Sequence, residues 1–365
     1  MNDGAWLINL LLYRPAHSGF SRYVQRVVPH LPGERLVLAD RKDQALKPQS
    51  SELPNVLPRS RRLRLLQSLT LAQHGISVKE LLAKAGSKRF DAIYSPFTDY
   101  LFDCSEMPQV ITCHDLTPLF GPGSKRARLR YRMWTPVHLH KAQHVIAISG
   151  FVAGQLTDLG LPASRISVVP NGVEIIRAPV VSPGSFNWVV LARHDRNKNL
   201  DLAVRGFSGF LQKQPDWPGA LMIIGRRGRE TPVLALLVRE LGIEGRVQFV
   251  ESVEEHRLVD LLRSAYGLLA PSCMEGFDYP VLEAKAEGIP TLISDIPVHR
   301  EFHQGSSLFF PLDRDGAGLA SCMNELTTGE QYWQQLSVLG RDCARQLSLQ
   351  RQVEAIQIVL RQVSS

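Results

Sequence analysis

The stretch Ser272–Glu283, S-C-M-E-G-F-D-Y-P-V-L-E, decides how this chain of 365 residues is read. An apolar run, Tyr266–Ala270, leads into it and has the length and composition of a buried strand. Val281–Ala286 follows with a helical pattern, and Pro280 stands at or near its first position, where a missing N–H costs nothing. Between them lie Gly276 and two carboxylates, Glu275 and Glu283. A strand, a glycine turn and a helix start present unpaired first-turn N–H groups and the positive end of the helix dipole, which suits an anion such as phosphate. Carboxylates beside such a cradle fit a hydroxyl-rich ligand. The same pair also fits a general acid and base or, less well without an Asp-x-Asp, a metal site. An ordinary α/β domain carries strand-loop-helix units of this kind too, so the rest of the chain must discriminate.

Working outward, strands and helices alternate on both sides. Upstream, strands are expected at Trp188–Ala192, Ala220–Gly225 and Val247–Val250, with helices at Leu200–Leu211, Thr231–Gly242 and Glu254–Ala265. Downstream come strands at Thr291–Ser294 and Ser307–Phe310, then a mostly helical stretch from residue 316. The first half repeats the scheme. Its strands are 5–13, Leu36–Asp40, Ala92–Ser95, Val110–Asp115, Val145–Ser149 and Ile166–Pro170. Within His17–Leu31 a helix carrying Val24, Val27, Val28 and Leu31 is expected, capped by Ser18 or Ser21 with Gly19 in the turn before it, and others near Val78–Ala85, Lys125–Lys141 and Gly150–Gly160. Residues 177–186, with Pro179, Pro183 and Gly184, read as a linker. The expected fold is therefore α/β, two doubly wound Rossmann-like domains with parallel sheets facing across a cleft. The boundaries expected are 1–178 and 179–345, with 346–365 as a terminal segment.

Composition narrows the class. Charge is 21% and hydrophobic content 44%, which excludes a disordered chain. No apolar run reaches the 18 residues or so that a spanning helix needs, and Trp6–Leu12 has strand length without a basic leader, so a cytoplasmic protein is expected. The five cysteines are scattered with no C-x-x-C, as in a reducing compartment. Residues 1–180 carry 23 Lys and Arg against 13 acids, while 181–365 carry 19 against 22. The basic half points to an anionic partner. Two segments carry that charge: Arg59–Arg64, interleaved with leucines, and Arg126–Arg132, followed by Trp134. Both fit an anionic membrane surface as well as a solvated helix face, and no recognised nucleic-acid module accompanies them.

Several polar groups sit at strand ends, where open α/β sheets bind ligands. Arg193 and Lys198, in A-R-H-D-R-N-K-N-L, supply the planar and the point charge that a diphosphate calls for. His114–Asp115 closes a strand of the first half. His194–Asp195 and His299 are loop candidates for a cleft rim, and His138, His140 and His144 are placed on one helix surface.

Taken together the motifs resemble the retaining glycosyltransferases of the GT-B fold, family 4. S-C-M-E-G-F-D-Y-P-V-L-E is similar to the family's E-x7-E element, H-S-G-F-S-R-Y-V to its glycine loop, and V-I-T-C-H-D-L-T-P to its histidine-bearing strand end. Ala147–Phe151 with Ile166–Val173, A-R-H-D-R-N-K-N-L and Ile293–Glu301 complete the series, in order, over residues 17–302. The resemblance implies that Arg193 and Lys198 hold a nucleotide diphosphate and that Glu283 binds the ribose. It implies that Glu275, with the backbone of Gly276 and Phe277, contacts the donor sugar, that Gly19 allows close approach of phosphate or sugar, and that His114 lies by the anomeric carbon. It further implies no bound metal, retention with the leaving phosphate as base, and a last segment that returns to the first domain. Asp278 and Tyr279 depart from the family, which often has glycine and an apolar residue there.

The function expected is transfer of a hexosyl group, with GDP-mannose as donor, to a glycan or lipid-linked oligosaccharide in bacterial surface polysaccharide synthesis. A UDP- or dTDP-sugar donor is the alternative, and a non-catalytic nucleotide-sugar-binding protein a further one. A nicotinamide dehydrogenase is excluded by the lack of G-x-G-x-x-G after a strand.

Overall fold

The computed structural model describes residues 4–10, 13, 19–39, 51–52, 62, 65, 69, 89–98, 107–121, 125–251 and 253–364. The chain forms two compact units, Met1–Gly172 with Leu349–Ser365, and Val173–Ser348.

In the first unit the strands are β1 (Ala5–Leu10), β2 (Glu34–Ala39), β3 (Ser51–Glu52), β4 (Ala92–Ser95), β5 (Gln109–Cys113), β6 (His144–Ala147) and β7 (Ile166–Val168). They make a parallel sheet in the order β3-β2-β1-β4-β5-β6-β7. The flanking helices are α1 (Gly19–His30), α2 (Thr117–Phe120), α3 (Lys125–Lys141), α4 (Gly150–Asp158) and, from the far end of the chain, α12 (Leu349–Ser364). All of β4 and β5 is buried, which is why both read as continuous apolar runs rather than alternating ones. Helix α1 buries Tyr23, Val24, Val27 and Val28 at helical spacing. Helix α12 buries Val353, Ile356, Val359 and Leu360 on one face. Its Gln352 accepts from the Gly172 N–H at 2.8 Å and donates to Asn171 Oδ1 at 3.1 Å, so the turn expected at Pro170-Asn-Gly is clamped from the chain's last helix.

The second unit holds β8 (Trp188–Leu191), β9 (Leu221–Ile224), β10 (Val247–Val250), β11 (Gly267–Ala270), β12 (Thr291–Ser294) and β13 (Leu308–Phe310), parallel in the order β10-β9-β8-β11-β12-β13. Its helices are α5 (Leu200–Lys213), α6 (Thr231–Glu240), α7 (Glu255–Ser264), α8 (Tyr279–Glu287), α9 (Pro297–His303), α10 (Ala317–Leu326) and α11 (Glu330–Gln346). Successive strand residues face opposite sides. Trp188, Val190, Leu221 and Ile223 enter one core with Phe207, Phe210 and Trp333, while Val189, Met222 and Ile224 enter another with Leu262, Val281 and Ala284.

Residues 177–186 are built into this second unit rather than free of it. The Val180 N–H donates to Glu287 O at 3.0 Å, and Arg341 donates to Arg177 O at 2.5 Å. His144 opens β6 rather than extending α3, so the three histidines placed on one helix do not share one; His138 is buried and His140 exposed. Helix Val78–Ala85 and the basic residues Arg59, Arg61 and Arg64 lie outside the described residues, and Arg62 is exposed.

Candidate active site

Strands β8 and β11 are neighbours, yet the chain leaves them in opposite directions, from β8 to β9 on one side and from β11 to β12 on the other. Loops that diverge from adjacent carboxyl ends open a crevice, the usual ligand position in such sheets. Here the two loops are 192–199 and 271–278. The Cys273 N–H donates to Asn197 O at 2.9 Å, and Asn199 Nδ2 donates to Pro271 O at 3.1 Å. Asn199 has φ 52°, a left-handed conformation that asparagine adopts more readily than most residues. It ends the 3-10 turn Arg196–Lys198 and starts α5, and so aims the preceding side chain.

That side chain is Lys198, whose Nζ lies 2.5 Å from Glu275 Oε1; the two side chains are 17% and 11% exposed. Burial alone would lower the Lys198 ammonium, but Glu275 and then Asp278 outweigh it and hold it above its ordinary value. Burial lifts the Glu275 carboxyl; Lys198 opposes this, Asp278 adds to it, and the group sits above the usual carboxylate range. The pair thus keeps a buried ammonium at the crevice, the charge an entering anion would meet. Arg193, on the same loop, is half-exposed and 3.1 Å from Asp195.

Behind the pair lies a second, drier one. Asp278 Oδ2 is 3.3 Å from His299 Nε2, with side chains 4% and 1% exposed. Burial works against the Asp278 charge, but the His299 hydrogen bond and the Lys198 charge outweigh it and hold the carboxyl below its ordinary value. His299 Nδ1 donates to Ser294 O at 2.8 Å, and Ser294 Oγ donates to Ser272 O at 2.5 Å. Gly276 and Phe277 are buried between these contacts, and Phe277 packs on Tyr279 and Phe302. Glu283 is half-buried one turn into α8. His299 and His194, expected on loops at the rim, are both buried; His299 lies in α9, and His194 Nδ1 is 2.8 Å from Thr231 Oγ1.

Lys285, two residues beyond Glu283, is fully buried, and no carboxylate among the described residues pairs with it. Its Nζ donates to Ser306 Oγ at 2.6 Å and to His303 Nδ1 at 3.2 Å, and burial lowers it to about 8 although Cys343 opposes this.

In the first unit His114 stands just past β5. Its Nε2–H donates to Pro96 O at 2.8 Å, which leaves Nδ1 as an acceptor in the neutral ring. Burial lowers its pKa, against that hydrogen bond and Asp115. The ring meets Phe20 and Tyr23 edge-on, and Tyr23 Oη is anchored 2.6 Å from Tyr94 Oη. Gly19 is the exposed first residue of α1. Among the described residues no three His, Cys, Asp or Glu side chains are placed to hold a metal ion, and no helix is long and apolar enough to cross a membrane.

Two family models match, Glycosyltransferase Family 4 over residues 17–177 and Glycosyl transferases group 1 over residues 174–305. The chain belongs to these GT-B glycosyltransferases. Among curated relatives, it is 26% identical over 225 residues to the O-antigen chain mannosyltransferase RfbU of Salmonella typhimurium, covering 59% of this chain and 60% of that one. The chain spans about half the length of the curated relatives it matches. In fold it is similar to sucrose-phosphate synthase of Thermosynechococcus elongatus, with TM-score 0.76, 19% identity and 98% of each chain covered. It is also similar to Anabaena HepE in complex with UDP-glucose, with TM-score 0.73, 16% identity, and 98% of this chain and 100% of that one covered.

Proposed function

We propose that the chain transfers a hexosyl group from a nucleotide sugar to a glycan or lipid-linked acceptor, with retention of configuration. The observation that carries this is the Lys198–Glu275 pair at the strand-order switch of the second sheet, with Arg193 on the same loop. A diphosphate entering there meets Lys198 and Arg193, whose charge offsets what develops on the leaving phosphate. As Lys198 turns to the phosphate, Glu275 is released to accept from sugar hydroxyls. Glu283, a turn into α8, faces the ribose in this reading, and the N–H groups at Gly276 and Phe277 line the sugar. Gly19 leaves room beside the phosphate or sugar, and His114 offers Nδ1 to a hydroxyl of the transferred sugar. No metal enters this reading, since the two cations serve the diphosphate.

GDP-mannose is the donor we favour, supported by the mannosyltransferase named among the relatives. The UDP-glucose named with HepE supports the alternative of a UDP-sugar. The test is a panel of GDP-, UDP- and dTDP-sugars scored by thermal stabilisation and by hydrolysis, because a ligand that binds only the folded state raises its stability. GDP-mannose is expected to lead. A panel in which no nucleotide sugar stabilises the protein would sink the whole reading.

The acceptor side of the proposal is an anionic membrane surface of the cytoplasm. Helix α3 carries Lys125, Arg126, Arg128, Arg130, Arg132 and Lys141 and no acid. Its Leu129, Met133 and Val137 are 61%, 56% and 43% exposed at four-residue spacing, an apolar stripe beside the basic groups.

A further inference from the structure

We propose that Asp278 and His299 are positioning residues of the donor site, a fixed hydrogen-bonded pair that keeps the Asp278 charge behind Lys198 so that Glu275, not Asp278, changes its proton when a donor binds. This rests on the reading of Lys198 and Glu275 as the donor site.

The geometry separates two carboxylates three residues apart on one loop. Asp278 is locked. Both nitrogens of His299 face oxygens, Ser294 O at 2.8 Å and Asp278 Oδ2 at 3.3 Å. The ring is thereby held between the end of β12 and the start of α8. Ser294 extends the chain of contacts to Ser272 O, at the root of the loop that carries Glu275. Glu275 is held by the Lys198 ammonium and by a Ser272 hydrogen bond, and that lysine is the group a diphosphate would claim. Two acids whose surroundings push them apart divide the work, one staying charged and one exchanging a proton.

The groups acting on Glu275 come from every neighbouring element. Lys198 lies opposite, with Arg193 beyond it on the loop after β8; Asp278 and Cys273 share its own loop; His299 acts through Asp278 from α9. Asp278 raises Glu275, as a like charge does. Removing that charge therefore lets Glu275 ionise at lower pH.

The experiment is calorimetric affinity for a nucleotide sugar, GDP-mannose or whichever member of the panel binds, measured from pH 5 to 9. A nucleotide sugar is chosen because its esterified diphosphate does not titrate there. The wild type is expected to show one inflection, and Glu275→Gln to abolish it. Asp278→Asn should move the inflection down by on the order of one pH unit, a tenfold change in proton affinity. Asp278→Gly, which removes the same charge with a smaller side chain, should move it the same way if the asparagine variant fails to fold. A purely structural role for Asp278 would lower the melting temperature and leave the inflection in place, and that result overturns the proposal. So does an inflection that survives Glu275→Gln, or a flat wild-type profile. Lys198→Ala separates the two levels. If it keeps wild-type affinity, the donor-site reading falls and this inference with it. If it loses affinity while Asp278→Asn leaves the inflection unmoved, the site stands and only the inference is overturned.

Discussion

Lys198 and Glu275 stand 77 positions apart in the chain and 2.5 Å apart in space, each largely closed off from water. Two residues with separate expected roles, one for phosphate and one for sugar, are thus each other's partner. Breaking one side of a buried pair strands the other charge. Lys198→Ala is expected to cost about 3 kcal/mol in urea unfolding at pH 7, and Lys198→Met with Glu275→Gln less than either single change. Strictly additive losses would show that the pair does not couple.

Arg193 is the contrasting cation, half-exposed and paired with Asp195. Arg193→Ala should lower turnover of the nucleotide sugar by on the order of 10²-fold, the scale of one electrostatic donor, while stability moves by less than about 0.5 kcal/mol. Normal turnover would remove Arg193 from the diphosphate site.

Lys285 carries a pH signature of its own. A lysine whose folded value, about 8, lies below its unfolded one gives up its proton first in the folded state. Stability therefore rises with pH from about 8 to about 10.4 and is least favoured below about 8. Lys285→Met should flatten that rise and raise stability at pH 7 by on the order of 1–3 kcal/mol. Unfolding curves at pH 7, 8, 9 and 10 measure both effects.

His114 gives the acidic counterpart. Its folded value lies below its unfolded value of about 6.5, so its contribution to stability is lost as pH falls below about 6.5. His114→Gln retains an N–H for Pro96 O and should reduce the slope of stability against pH in that window. Transfer should fall in the same variant at pH 7 if Nδ1 accepts from the sugar.

The exposed stripe of α3 predicts vesicle binding. Leu129→Asp with Met133→Asp should reduce co-sedimentation with anionic vesicles several-fold and leave the soluble donor-hydrolysis rate intact. Equal co-sedimentation would remove the membrane from the proposed function.

Much of the fold was legible because buried parallel strands are short, continuous apolar runs. Trp188–Leu191, Leu221–Ile224 and Gly267–Ala270 stand out for that reason alone. The local site was legible too: Glu283 comes a turn after Pro280, and Arg193 and Lys198 follow a strand. Long-range pairing was not. Nothing local in D-Y-P announces that Asp278 meets a histidine in α9, and Asn199 gives only a faint signal as the asparagine between a lysine and an apolar helix. Residues 177–186 misled through their prolines and glycine, which end local structure equally well inside a packed unit. Arg177 O and Val180 bind partners more than a hundred residues away, which composition does not encode.

The clamp of Gln352 on Asn171 and Gly172 has a consequence for how the chain is made. During synthesis residues 1–172 emerge ahead of the helix that covers them, which follows only after the whole of 173–348. The later-born unit is unbroken in sequence and is free to finish first. The older one waits with the seat of Val353, Ile356 and Leu360 uncovered until residues 349–364 have been made. A frameshift or nonsense codon that removes residues 349–364 therefore injures the unit built around β1–β7, although the whole of 173–348 lies between the two along the message.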